Sequence, residues 1–404
     1  MLIALAWKNI WRNKKRSLIV IIAITFGLWG GLMSGAIMMG MSESMIVTAI
    51  ERDIAHIQIH KKTYSQNKDV RNYIPDGIGI LDQVRENPEV KAASGRTLIY
   101  GMAASPASTF GVKIVGIDPQ VAEKVTTINQ HLIDGAYFPG STRNPIVLGK
   151  KLADRLNLKL KSKIVLSFEG LNGEIVYIAC RVVGIYKTES AQFDEMNVFV
   201  NQNDLFRILD TEPIIHEIAI RLNQSEALPL VDAQLKEQFK QLKIQNWKEL
   251  APDLAFLAET MKSFTYLFVA IILFALLFGI TNTMLMSIMD RVRELGVLIA
   301  VGMKKFKVFL MILTETIFLS LTGGILGILI GGASIAYFNF AGIDLSAFSA
   351  SMESFGASTS IFPYLPLAMY IVLTIMIVVA ANFAAIMPAW KAMHLQPSEA
   401  IRTY

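Results

Sequence analysis

The chain has 404 residues, a hydrophobic fraction of 53% and a mean hydropathy of +0.45, which together exclude an ordinary soluble domain. Its formal net charge of +5 is compatible with nucleic-acid binding, but the positions of Lys and Arg described below explain the charge through membrane topology. The single cysteine, Cys180, excludes an intramolecular disulfide.

Four segments are apolar and long enough to cross a bilayer, which takes about 20 residues of helix. They are residues 17–42, 263–289, 308–341 and 362–388. Only the third contains an acidic residue, Glu315. An acid inside a span is a candidate for a proton relay, but Glu315 lies close to the polar loop before its span. We therefore expect Glu315 to tie that loop to the span, through the loop's backbone or one of its arginines.

Lys and Arg mark one side of these spans. Residues 1–16, 290–307 and 389–404 contain basic residues, whereas residues 342–361 contain none. The excess of positive charge in cytoplasmic loops then predicts that both termini and residues 290–307 are cytoplasmic. Residues 43–262 and the short loop 342–361 would lie on the other side of the membrane.

Residues 1–16 predict an amphipathic helix that lies on the cytoplasmic membrane surface. Lys8, Arg12 and Lys15 share one stripe of such a helix, and two tryptophans form an i,i+4 pair suited to the interface. The alternative is a basic flank that only sets the topology.

Residues 43–262 predict a mixed α/β domain, large enough to bury its own core. Alternating or β-branched residues predict several strands, in residues 55–61, 163–186, 197–200 and 216–222. The second of these segments predicts a hairpin that turns near Asn172-Gly173. Helical spacing marks residues 79–90 and 225–242. Residues 144–168 suggest a compact inserted unit, and hence two subdomains.

Three common catalytic or metal-binding motifs are absent from the sequence. The chain has no GxxxxGK[ST] phosphate loop, no GxSxG and no HExxH. His56 and His60 share a strand face without a Cys or carboxylate cluster, so we expect two solvated residues and no metal. The chain is thus predicted to be a non-catalytic protein that binds no cofactor itself.

The membrane segments resemble a known family. "LAWKNIWRNKKRSLIVIIAITFG", "MDRVRELGVLIAVGMKKFKVFLMILTETIFLSLTGGILG" and "PAWKAMHLQPSEAIR" are similar, in that order, to ABC transporter permeases of the FtsX/MacB superfamily. In the external segment, "VGIDPQ", "IVLGKKLADRLNLKLKSKIVL" and "NWKELAPDLAFL" most resemble lipoprotein-releasing permeases of the LolC/LolE type.

The resemblance implies a fold and a location. The chain would be an α-helical membrane protein with four transmembrane helices and a large extracytoplasmic, MacB-like α/β domain between helices 1 and 2. It would lie in the bacterial inner membrane, with cytoplasmic termini and a periplasmic domain. A second permease protomer would complete a homodimer or a heterodimer.

The resemblance also implies that residues 290–307 form a coupling helix that docks on an ABC ATPase. Two ATPase copies on partner chains would bind ATP and Mg²⁺. The apolar side chains of the loop suit a groove with a polar rim, and Gly302 with the lysines after it predicts the end of the helix. The implied coupling residues are Asp290, Arg291, Arg293, Glu294, Leu298, Lys304 and Lys305. The alternative is a solvated basic connector.

For the cargo, the resemblance implies lipoproteins extracted toward the outer membrane, with acyl chains held between the first two spans. The candidate residues are Met38, Met41, Met45, Met261, Phe264 and Phe268. Four glycines of span one, Gly27, Gly30, Gly31 and Gly35, would let another helix come close. Alternatives are MacB-like efflux of peptides or small molecules and FtsX-like regulation of a cell-wall hydrolase. The short hairpin "EGLNGE" lacks the hook by which some members recruit a periplasmic carrier, so the use of a carrier stays open.

Overall fold

The computed structural model describes residues 12, 14–140, 142–349, 351–352 and 356–394. Most of the predicted interfacial helix and the tail after residue 394 lie outside these residues. The chain divides into two compact units. We call Met1–Glu43, Ala258–Asp344 and Ser360–Tyr404 the helical unit, and Ser44–Leu257 with Leu345–Thr359 the α/β unit.

In chain order, the helices are α1 Lys14–Ala49, α2 Gly77–Arg85, α3 Pro119–Val125, α4 Lys150–Arg155, α5 Ala191–Met196, α6 Gln202–Leu209, α7 Leu228–Gln238, α8 Trp247–Leu250, α9 Pro252–Asp290, α10 Val292–Ala300, α11 Lys305–Ala341 and α12 Leu367–Met393. The strands are β1 Ile57–Lys61, β2 Val90–Ala104, β3 Thr109–Ile117, β4 Leu132–Gly135, β5 Pro145–Gly149, β6 Lys163–Glu169, β7 Ile175–Tyr186, β8 Asn197–Asn201, β9 Glu217–Leu222, β10 Leu242–Asn246, β11 Ile343–Asp344 and β12 Ser360–Ile361.

Four helical stretches are long and apolar enough to cross a membrane: Ser17–Ile54, Pro252–Asp290, Lys305–Ala341 and Leu367–Met393. Each contains one of the predicted spans or most of it. The first continues well past residue 42, and α9 begins at Pro252 rather than at 263. The fourth begins at Leu367 because residues before it, including Pro366, are extended.

Glycines on α11 bring its backbone against α1 in the helical unit. A Cβ on Gly323 would lie 2.9 Å from Ile24 Cβ and 3.0 Å from the Ile21 carbonyl oxygen. One turn later, a Cβ on Gly327 would lie 2.9 Å from Leu28. The two helices therefore pack closer than side chains would allow, as is usual where small residues recur every four positions in membrane helices.

The α/β unit contains a closed ring of six strands. The hydrogen-bonded neighbours run β2-β3-β8-β5-β7-β6 and return to β2, where Gly101–Ala104 pair with Val165–Phe168. The core of the ring is aliphatic, with Ile114, Ile146 and Leu166 fully buried. Closure removes the free edges that an open sheet would present.

The strands β10, β1, β9 and the first half of β2 continue from the ring through β2, and we call them the open sheet. Helices α2 and α7 contribute to the apolar core on one of its faces. The closed ring and the open sheet correspond to the two subdomains predicted from the sequence. Residues 144–168 are not a separate insert, however, because β5 and β6 pair with β2, β7 and β8 inside the ring.

The hairpin predicted near Asn172-Gly173 is confirmed. Strands β6 and β7 pair in antiparallel fashion, with Glu169 opposite Ile175 next to the turn. Gly173, within the turn, has φ +80°. This left-handed conformation favours glycine because a Cβ would be strained there.

The expectation of two solvated histidines is wrong. His56 and His60 are each only 7% exposed. His56 Nδ1 accepts a hydrogen bond from the Leu222 backbone N–H at 3.3 Å, and His60 Nε2 lies 3.1 Å from a Glu217 carboxylate oxygen. Within the described part of the chain, no group of three or more His, Cys, Asp or Glu side chains is placed to hold a metal ion.

Candidate functional site at the polar loop

The polar loop between α9 and α11 is a short helix bounded by two sharp breaks. Arg291 alone separates α9 from α10, and its carbonyl accepts the first hydrogen bond of α10, from Leu295 N–H at 2.9 Å. At the other end Gly302 has φ +102°, and the Met303 N–H returns to the Leu298 carbonyl at 3.0 Å. Gly302 ends the helix as the sequence predicts, because only glycine adopts that conformation without strain.

Helix α10 is amphipathic. Leu295 and Gly296 are buried, whereas Arg293, Glu294 and Val297 are exposed. One side of this two-and-a-half-turn helix is therefore bound within the helical unit, and the other presents charge around an aliphatic residue. Such a face suits contact with another protein surface.

A buried ion pair ties this loop to the membrane helix that follows. Arg291 Nη1 donates to both carboxylate oxygens of Glu315, at 3.2 and 3.1 Å. Arg291 is 7% exposed and Glu315 is 6% exposed. The sequence-based expectation that Glu315 ties the loop to its span through an arginine is thus confirmed. Each charge depends on the other, since an unpaired buried ion is costly.

A cavity of about 490 Å³ opens beside the pair. Its wall is apolar and its rim is charged, with Met284, Ile288 and Met311 in the wall and Arg12, Arg293 and Glu294 at the rim. Arg12 donates a hydrogen bond to the Glu294 carboxylate, and both side chains are half exposed. Nothing in the local sequence pattern pairs these two residues, which are far apart in the chain.

The predicted coupling residues differ in their exposure to solvent. The exposed ones are Asp290, Arg293, Glu294, Lys304 and Lys305, and Leu298 is half-buried. Arg291 lies inside instead, on Glu315, so it has no exposed charge to offer a partner. Docking stays a prediction for the exposed residues, and Arg291 is placed to hold the loop.

The predicted acyl-chain residues fall in different environments. Phe264 and Phe268 are exposed on α9, Met38 and Met41 are half-buried on α1, and Met261 is half-buried. Met45, further along α1, is buried and belongs to the α/β unit. The structure therefore leaves the two phenylalanines accessible, and the cargo role of the set stays a prediction.

Three glycines of α1 face α9. A Cβ on Gly35 would lie 3.1 Å from Thr265, one on Gly31 would lie 3.9 Å from Val269, and Gly27 faces Leu276. The predicted close helix approach is confirmed for Gly27 and Gly35, whereas a Cβ on Gly31 would be at ordinary contact distance, 3.8 Å from Ile377 of α12. It is not confirmed for Gly30, where an added Cβ would meet no atom within 4 Å.

Comparison with known families gives two matches that cover most of the chain. Residues 17–238 match the MacB-like periplasmic core domain, which by itself accounts for more than half of the chain. Residues 266–397 match the FtsX-like permease C-terminal domain. The second match contains the polar loop, Arg291 and Glu315.

Individual relatives share parts of the chain. The macrolide export ATP-binding/permease protein MacB of Chlorobium luteolum is 34% identical over 31% of this chain and 16% of that protein. The pyoverdine export ATP-binding/permease protein PvdT of Pseudomonas fluorescens is 23% identical over 82% of this chain and 51% of that protein. The chain therefore matches only about half or less of the length of these relatives. Among solved structures, the periplasmic region of MacB from Actinobacillus actinomycetemcomitans is similar at 14% identity over 52% of this chain and 97% of that one, with a TM-score of 0.36.

Proposed function

Since the chain belongs to the FtsX/MacB superfamily of ABC transporter permeases, we propose that it transmits ATP-driven movement from an ABC ATPase, docked at α10, to its MacB-like α/β domain. ATP and Mg²⁺ would be bound by the ATPase, and this chain would carry out no chemistry. Two permease protomers and two ATPase copies would form the working unit in the inner membrane, with α10 in the cytoplasm.

The buried pair of Arg291 and Glu315 carries this proposal. A loop held only by solvated side chains would absorb a push from a docked protein by bending. Here the residue that joins α9 to α10 is also bound to α11. Movement of α10 would therefore pass to two membrane helices at once, which is what a mechanical transmitter requires.

Reversing the exposed charges of α10 tests the docking surface. We expect the double variant Arg293→Glu/Glu294→Lys to insert and fold normally, because both side chains are exposed. Its apparent affinity for the cognate ATPase is expected to fall by about tenfold. Charges at the rim of an interface guide the approach of the partner and fix its position. Co-purification from membranes and ATPase turnover in nanodiscs measure the effect.

Two controls accompany this variant. Arg12→Ala removes the internal contact of Glu294 alone and should leave ATPase binding near wild type, because exposed ion pairs contribute about 0–1 kcal/mol. Glu43→Lys reverses an exposed charge near the far end of the α1 segment in the helical unit. Unchanged ATPase binding and turnover in the double variant would show that α10 is only a connector.

Two kinds of cargo deserve testing. The names of these relatives describe export of macrolides and of pyoverdine, which supports an export permease for small molecules. The exposed phenylalanines of α9 and the adaptable methionines of α1 favour a lipid-bearing cargo, lipoproteins in particular.

Photo-crosslinking separates these two candidates. A crosslinking amino acid at Phe264 or Phe268 is expected to capture a lipid-bearing protein before ATP addition and to lose it afterwards. Val372 and Ile375 on α12 are matched controls, because their exposures of 41% and 56% bracket the 45% and 43% of the two phenylalanines. Equal capture from α12 would indicate ordinary lipid contact, and capture of a small soluble molecule alone would favour export.

A further inference from the structure

The open sheet has a polar face that lines a cavity of about 370 Å³. Side chains on this face alternate with the apolar ones that pack under α2 and α7. Strand β1 supplies Gln58 and His60, and β10 supplies Lys243 and Gln245 directly opposite them. The volume is within the range of small-molecule sites.

The carboxylates deep in this cavity already have cationic partners. Glu217 accepts a hydrogen bond from Arg96 Nη1 at 2.6 Å and lies 3.1 Å from His60 Nε2. Asp53 accepts from the same guanidinium at 3.2 Å. Burial alone would raise the pKa of Glu217, but Arg96 and His60 hold that pKa below its usual range. Glu217 therefore stays ionised, and it shares the single Arg96 guanidinium with Asp53.

Three lysines line the same cavity and, together with Arg96 and Lys236 outside the lining, outnumber its three carboxylates. They are Lys68, Lys113 and Lys243. The third acid, Glu249, is bound by Lys236 at 2.9 Å, a residue outside the lining. Lys113 forms an ion pair with Asp53 at 3.9 Å, a distance too long for a hydrogen bond, and the described structure shows no ion pair for Lys243.

A buried hydroxyl in the cavity lacks a well-formed hydrogen bond. Tyr64 is 4% exposed and its ring stacks on His60 with centroids 5.4 Å apart. Its hydroxyl makes no hydrogen bond of good geometry to a described residue, although Tyr100, which lines the same cavity, interacts with it. Burial raises the pKa of Tyr64, so this hydroxyl remains protonated and able to donate. Buried polar groups are nearly always paired, so a buried hydroxyl without a well-formed hydrogen bond is a candidate donor to a bound acceptor.

We propose that this cavity binds a small molecule through an oxyanion, either a carboxylate or a phosphate group. Lys243 and Lys113 would supply charge, and the Tyr64 hydroxyl would donate to the ligand. Such a site would add ligand binding to the α/β domain, in addition to force transmission. It is independent of the docking surface on α10.

Titration of the full-length chain in nanodiscs tests the site, with citrate and inorganic phosphate as separate probes at constant ionic strength. We expect saturable binding of one or both. Binding of citrate alone would identify a carboxylate ligand, and binding of phosphate alone a phosphate ligand. Lys243→Gln is expected to weaken binding at least tenfold, whereas the exposed Lys151→Gln should have no effect. No binding of either probe, or equal binding by Lys243→Gln, would overturn the proposal.

Tyr64→Phe separates binding from folding, because it removes only the hydroxyl and keeps the stacked ring. Without probe, its unfolding temperature should equal or exceed that of wild type, since an unpaired buried group is lost. With probe, its affinity should fall several-fold. A lower unfolding temperature without probe would show that the hydroxyl already has a protein partner, and would contradict the proposal.

Discussion

Arg291→Ala is expected to lower the free energy of unfolding of the helical unit by about 3–5 kcal/mol, because it leaves the Glu315 carboxylate buried and unpaired. The same change should abolish ATPase-coupled activity even in molecules that remain folded, since α10 would lose its tie to α11. Denaturant titration in detergent micelles measures the first effect, and turnover in nanodiscs measures the second.

Two further variants make this prediction specific. Arg293→Ala, two residues away and exposed, should change stability by less than about 0.5 kcal/mol. The double variant Arg291→Ala/Glu315→Ala should recover much of the lost stability, because no charge is then left buried, but should not recover coupling. If the double variant coupled normally, the ion pair would be a folding element and would play no part in transmission.

Gly323→Leu is expected to destabilise the packing of α1 against α11 by about 3 kcal/mol, at the upper end of overpacking costs. The new Cβ would meet Ile24 Cβ at 2.9 Å and the Ile21 carbonyl oxygen at 3.0 Å. Neither atom is the end of a flexible side chain, so the helices must move apart. That movement would also break the hydrogen bond from Thr25 Oγ1 to the Gly323 carbonyl, now 3.1 Å.

The matched control is Gly332→Leu on the same helix, where an added Cβ meets nothing within 4 Å. It should be nearly neutral, or slightly stabilising because glycine disfavours helix. A cysteine crosslink between α1 and α11, formed efficiently in wild type and in Gly332→Leu, should form poorly in Gly323→Leu. Equal loss of stability in both variants would mean that helix propensity, and not the close approach, decides the effect.

Features that depend on local chemistry were predictable from the sequence. The four apolar stretches follow from bilayer thickness, which demands about 20 apolar residues wherever a helix crosses. Gly173 and Gly302 mark left-handed turns because only glycine adopts them without strain. Glu315 requires a partner because a lone acid inside an apolar helix is costly.

Only the tertiary structure decided which residues meet. The sequence offered five basic residues in the polar loop. The tertiary fold paired Arg291 with Glu315 and thereby buried a residue predicted to be a docking contact. The closed ring depends on β2, whose fifteen residues pair with β9, β3 and β6. The burial of His56 and His60 depends on neighbouring strands and on the residues that cover their face. These outcomes depend on the sum of contacts between distant segments, and no local pattern of residues encodes that sum.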